Sequence, residues 1–167
     1  FLSFCLDFKN VLHGRPSYLP CAVDGSQHGF QIWALLLRDQ TTAERVNCVP
    51  RDSPTDLYAE LAEKTESLLS DCYFGEALRA EKVDRSLVKR AAMATAYGCS
   101  FAGLVEIFTD ELWSRQAEGH KYPWDSDHQA ARVLAEAFNK SLRVLTPAII
   151  DGLDWLRQVA LISAQKN

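Results

Sequence analysis

Arg85-Ser86-Leu87-Val88-Lys89-Arg90-Ala91-Ala92-Met93-Ala94-Thr95-Ala96-Tyr97-Gly98 decides how the rest of the chain is read. Arg85, Lys89, Met93 and Tyr97 step by four. Each such step on a helix rotates only about 40°, so the four form one slowly drifting stripe. Leu87, Ala91 and Ala94 lie on the opposite face and are expected to pack inward. The spacing predicts a helix from about Asp84 to Tyr97 that stops at Gly98. Two phosphate-binding cations, one flexible apolar side chain and one hydroxylated ring follow each other along the stripe. Arginine grips phosphate through a planar fork, whereas lysine acts as a point charge and can also supply a proton. That order matches a nucleotide laid along a helix, with the triphosphate at Arg85 and Lys89 and the sugar and base near Tyr97. The plainer alternative is an amphipathic surface helix with a partly buried tyrosine.

Around the stripe the charge is uneven. From Arg79 to Arg90 five bases face two acids, a local +3 in a chain whose net charge is −4. A basic stripe on an acidic chain can hold an anion without making the whole surface adhesive, and a solvated helix face is the alternative. The 167 residues are 47% apolar and 24% charged, with 8 Gly and 6 Pro. This is globular composition, which excludes disordered and collagen-like chains. The longest unbroken apolar run, Ile32–Leu37, is far short of the roughly 20 residues of a membrane span. Cys5, Cys21, Cys48, Cys72 and Cys99 are scattered, and the four histidines form no ligand set with them. Neither a zinc site nor a disulfide framework is expected, and an intracellular protein with reduced thiols is. Phe1 falls directly in a helical pattern with no cap before it and no signal peptide, so an internal piece of a longer protein is expected.

Further out, Phe1 to Leu12 repeat at helical spacing and Gly14–Pro16 end that helix. Cys21–Val23 reads as a brief buried strand between Pro20 and Asp24-Gly25. A helical pattern resumes from Phe30 to Arg38, and Val46–Asp52 is irregular with a second short strand. Ser53-Pro54 predicts a helix start, followed by one apolar face from Leu57 to Leu69. Ser100 is expected to cap a helix ending near Gly119. Ser126 or Asp127 opens a long one, kinked at Pro147, that reaches almost to the C-terminus. There is no repeat and no linker. The fold class expected is mainly α with a short β element.

The second chemical pattern is Asp24-Gly25-Ser26-Gln27-His28-Gly29-Phe30-Gln31. An acid at the tip of a buried strand, then glycine, then a helix, presents a carboxylate at a fixed place. Mg²⁺ wants such oxygen ligands, commonly one or two carboxylates plus substrate phosphates. A tight Asp-Gly turn is the alternative.

Taken together, D-G-S-x-x-G-x-Q and, roughly sixty residues later, R-x₃-K-R-x₂-M-x₃-Y-G closely resemble the single-subunit, phage-type DNA-directed RNA polymerases and their mitochondrial relatives. The Leu19-Pro20-Cys21-Ala22-Val23 flank, Leu37-Arg38-Asp39, Val46-Asn47 and Asp154-Trp155-Leu156 resemble that family as well, so the likeness covers essentially the whole chain. It implies the palm and fingers of a right-hand fold, with residues 1 to about 52 on the palm side and about 53 to 167 as fingers-side helices. It further implies that Asp24 is the first of two metal-binding aspartates, assisted by the Gly25 carbonyl. By the same resemblance, Arg85 and Lys89 hold the triphosphate, and Lys89 also protonates the departing pyrophosphate. Met93 and Tyr97 lie along the nucleotide, Gly98 lets the template approach, and Tyr58 falls on a helix near the substrate. The cofactor implied is Mg²⁺. The partners are a DNA template, nascent RNA and ribonucleoside triphosphates, with no membrane and a monomeric enzyme. The location is the bacterial host cytoplasm for a phage protein and the mitochondrion for an organellar one.

One departure is the His-Asp-Ser motif that carries the family's second aspartate, which does not occur in these 167 residues. An isolated chain with one carboxylate is expected to be inactive. Two alternatives remain here. Family-A-type DNA polymerases share the Arg-x₃-Lys…Tyr-Gly helix, but carry a bulky acid where this chain has Gly29, an acid that excludes the 2′-hydroxyl. The other is a non-catalytic helical module descended from a polymerase.

Overall fold

Four helices among the described residues begin where a side chain takes N–H groups that a first turn leaves unpaired. The computed structural model describes residues 1–20 and 25–165, and these form α1 (Leu2–Leu12), α2 (His28–Leu37), α3 (Gln40–Arg45), α4 (Leu57–Ser67), α5 (Tyr73–Glu81), α6 (Arg85–Ala96), α7 (Phe101–Ala117), α8 (Asp127–Leu145) and α9 (Pro147–Ala164). Asp39, Asp56, Asp84 and Ser100 cap α3, α4, α6 and α7 through their side-chain oxygens.

The core is built around α8, which packs against α7, α4, α5 and α9. Its buried residues include Ala130, Leu134, Phe138 and Leu142, the three-and-four spacing of an inward stripe. Phe138 meets Phe108 of α7 edge to face at 5.4 Å, and Ser141 bonds Thr65 of α4 at 3.0 Å. Opposite α8, α6 lies against α4 and α7, and α2 reaches α6, α3 and α9. The buried face of α6 is mostly small, with Ala91, Ala92 and Ala96 beside Leu87 and Val88, so its neighbours approach its backbone closely.

The architecture is mainly helical, as expected, and no strand occurs among the described residues. The strand expected at Cys21–Val23 lies outside them. A second strand does not form between Val46 and Asp52. Asn47 takes a left-handed φ of +61°, and its amide bonds the Thr55 backbone twice, at 2.9 and 2.7 Å. Side chains stitch this segment into a loop and leave it no ladder. The Ser53-Pro54 helix start moves three residues on, because Asp56 rather than Ser53 receives the first-turn N–H groups. α3 and α5 escaped the sequence reading. At Pro147 the long C-terminal stretch breaks outright: Thr146 (φ −136°, ψ 54°) separates α8 from α9, and the proline sits at the first position of the new helix. No helix among the described residues is long and apolar enough to cross a membrane.

Candidate nucleotide site

Both ends of α6 are held. At its start the Asp84 carboxylate accepts the Leu87 N–H at 2.8 Å, and Arg115 of α7 donates to the same carboxylate at 2.8 Å and to Ser86 at 2.6 Å. Burial works to raise the Asp84 pKa, but Arg115, the Leu87 N–H and the Ser86 hydroxyl together hold it well below the usual carboxylate range. At the other end the Trp33 indole donates to the Ala96 carbonyl at 2.8 Å. Gly98, at φ +83°, then turns the chain into α7, a backbone state that favours glycine.

Held in this way, α6 forms one wall of a cleft of about 540 Å³, within the range of small-molecule sites. Arg85, Lys89, Met93 and Tyr97 all line it, with Tyr58 at the start of α4 and Gly25 and Gly29 opposite. The stripe and the glycine after Asp24, far apart in sequence, thus share one cavity. Asp24 itself lies outside the described residues. Gly98 is not in the cleft lining but sits just past the end of α6.

Side chains that the sequence reading did not single out shape the cleft. Gln27, buried at φ +62°, accepts the Leu57 N–H at 3.1 Å and donates to the Thr55 carbonyl at 3.4 Å. It joins the glycine loop to the start of α4. Asp56 caps α4 through Oδ1, taking the Tyr58 and Ala59 N–H groups at 3.0 and 3.3 Å. Its Oδ2 accepts from Arg85 Nε. The Arg85 guanidinium carbon lies 5.4 Å from the Tyr58 ring centroid, a cation–π contact. Burial pushes the Tyr58 hydroxyl pKa up, Arg85 partly offsets this, and Asp56 and Tyr97 add to the rise. The one local signal for Asp56 was an acid directly before the apolar face of α4, which is a capping pattern. Its tie to Arg85 has no local signal.

Gly29 is closely confined. A Cβ there would stand 2.6 Å from Ala96 Cβ and 3.7 Å from Tyr97 Cζ, so α2 and α6 meet where a side chain would intrude. Tyr97 itself is 73% exposed at the cleft.

The model of the DNA-dependent RNA polymerase family matches residues 1–167. The chain belongs to that family. It is 27% identical to T7 RNA polymerase of Escherichia phage T7, over 98% of this chain and 22% of that protein. It is 31% identical to the chloroplastic/mitochondrial DNA-directed RNA polymerase 2 of Arabidopsis thaliana, over 99% of this chain and 18% of that one. Against DNA-directed RNA polymerase 2A of Nicotiana tabacum the identity is 30%, over 99% of this chain and 54% of the relative. This polymerase-family chain therefore spans about a fifth of the length of the phage relative. Membership of the family sets aside the DNA-polymerase alternative.

Proposed function

We propose that the cleft between α4, α6 and the Gly25–Gly29 loop receives the incoming ribonucleoside triphosphate of a template-directed RNA polymerase. One observation carries the reading: Arg85, Lys89, Met93 and Tyr97 line a single cavity together with Gly25, the residue next to Asp24. Arg85 and Lys89 bind the triphosphate, and Tyr97 lies beside sugar and base. Lys89, one turn further along, donates a proton to the departing pyrophosphate. Template DNA passes the turn at Gly98, and nascent RNA supplies the attacking 3′-hydroxyl. Residues 1 to about 52 belong to the palm and the later helices to the fingers. The compartment follows the origin, phage host cytoplasm or organelle.

The Asp24-Gly25 pair carries donors whose chemistry suits a hard cation. Asp24 offers a carboxylate and Gly25 a carbonyl, both oxygen ligands of the kind Mg²⁺ selects. Among the described residues no group of three or more His, Cys, Asp or Glu is placed to hold a metal alone. Asp56, the carboxylate in the cleft lining, is committed to Arg85 and the α4 backbone. Mg²⁺ held by Asp24 and Gly25 would therefore be completed by substrate phosphates and by the second aspartate of the family. When bound, it supplies charge stabilisation at the α-phosphate. The 167 residues alone, without a His-Asp-Ser segment, are proposed not to polymerise.

Gly29 supports ribonucleotide use. A side chain at Gly29 would meet Ala96 and the Tyr97 ring. With no acid there to exclude the 2′-hydroxyl, the sugar on this reading is recognised by a polar group such as the Tyr97 hydroxyl.

The test is Mg²⁺-dependent, template-directed RNA synthesis by the polymerase carrying this chain, wild type against Lys89→Met. The substitution keeps length and removes charge and proton. Loss of a general acid typically costs about 10²–10⁴-fold, and kcat is expected to fall by that order while KM changes far less. No RNA synthesis by the wild type leaves the non-catalytic module as the better reading, and an unchanged kcat removes Lys89 from the chemistry.

A further inference from the structure

We infer that Asp56 is a positioning residue that aims the Arg85 guanidinium at the incoming triphosphate. The inference rests on the cleft being the triphosphate site, and it concerns how an arginine that is half exposed keeps one orientation.

The Asp56 carboxylate has its two oxygens on two different tasks. Oδ1 is fixed by the Tyr58 and Ala59 N–H groups, so the carboxylate plane cannot rotate without uncapping α4. Oδ2 is therefore presented at a set place, where Arg85 Nε bonds to it across 29 residues of sequence. The face of the guanidinium is fixed separately by the Tyr58 ring. An edge held by a carboxylate and a face held by a ring leave the side chain one orientation. The bond uses Nε, which leaves both terminal nitrogens for phosphate oxygens, the pairing for which the planar fork is suited. A carboxylate engaging both terminal nitrogens would instead compete with the ligand.

Simple electrostatics predicts the opposite of this role. A carboxylate in the lining of a triphosphate site repels the ligand, so removing its charge should tighten binding. If Asp56 acts by aiming Arg85, removing the charge weakens binding. The sign decides between them.

The experiment measures kcat and KM for the matched ribonucleoside triphosphate in the polymerase carrying this chain, on a primed template. Wild type is compared with Asp56→Asn, Arg85→Ala and the double variant. Asparagine caps helices as well as aspartate, but offers Arg85 a donor where it needs an acceptor. Asp56→Asn is expected to raise KM about tenfold with kcat within about threefold and an unchanged melting temperature. In the Arg85→Ala background it should add nothing, because the two residues act as one unit. Asp56→Ser, which keeps a capping oxygen and cannot reach Arg85, gives the same expected KM should the asparagine variant fail to fold. An unchanged or lowered KM in a folded variant, or additive effects in the double variant, overturns the inference. If Arg85→Ala leaves KM unchanged, the triphosphate reading of the cleft fails first and the role of Asp56 falls with it.

Discussion

α1 and α6 are helices of similar length with opposite relations to the rest of the molecule. α1 carries Leu2, Phe4, Leu6, Phe8, Val11 and Leu12, and buries none of its residues. α6 carries two arginines, a lysine and four alanines, and buries six residues, among them Val88, Ala91 and Ala92 at 0% exposure. Apolar content therefore does not set depth. α6 is deep because small side chains let α4 and α7 close on it, with a cap and a bonded carbonyl fixing its ends. Within α1, Phe4 stacks on Phe8 at 5.9 Å, and an internal stack removes little surface from water. Helical periodicity predicts a helix, and only a neighbour makes it core.

Three substitutions sharpen this contrast in denaturant unfolding of the 167-residue chain. The largest effect is expected from Leu87→Ala on the buried face of α6, where Leu87 is 3% exposed. Large-to-small changes at such sites typically cost about 2–5 kcal/mol. A loss under about 1 kcal/mol would mean that the helix packs more loosely than its burial indicates.

Next comes Asp84→Ala, which removes the cap of α6 and its Arg115 bonds. The expected loss at pH 7 is about 1 kcal/mol, the usual worth of a cap, since Asp84 is 48% exposed and solvent screens the pair. The pH dependence has a definite sign. The folded-state pKa of Asp84 is depressed, so its contribution is complete above the unfolded value of about 3.9 and fades as pH falls below it. The gap between wild type and variant should therefore narrow below about pH 4. A gap that stays constant or widens on acidification contradicts the assignment.

Smallest of all should be Phe8→Ala, expected to shift stability by less than about 0.5 kcal/mol, as for other surface changes. A loss comparable with that of Leu87→Ala would break the comparison and place α1 against the core.

How much of this was legible in the sequence follows the same division. α6 was readable almost to the residue, because its information is local: Asp84 before it, a stripe at four-residue steps along it, Gly98 after it. Ser100 and Ser126 marked the starts of α7 and α8 for the same reason. The exposure of α1 was not readable, since the pattern that announces an amphipathic helix does not say what covers it. Asp56 was missed because its meaning is tertiary: one oxygen serves its own helix while the other serves an arginine on a different one. The segment from Val46 to Asp52 is irregular, as its sequence reads, but holds no second strand, since the Asn47 side chain bonds the Thr55 backbone there.

The clasp made by Gln27 has a consequence for how phosphate is held. A helix N-terminus is a ready anion receptor, because its dipole and unpaired N–H groups point at the ligand. α4 begins in the lining of the cleft. Yet Gln27 takes the N–H of Leu57, Asp56 takes those of Tyr58 and Ala59, and the Glu60 N–H already bonds the Asp56 carbonyl. That receptor is filled by the protein itself. On the proposed reading, the anion is gripped by the side-chain cations of Arg85 and Lys89 and not by a backbone cradle, so the hold on a cleaved product ends when those two contacts are given up.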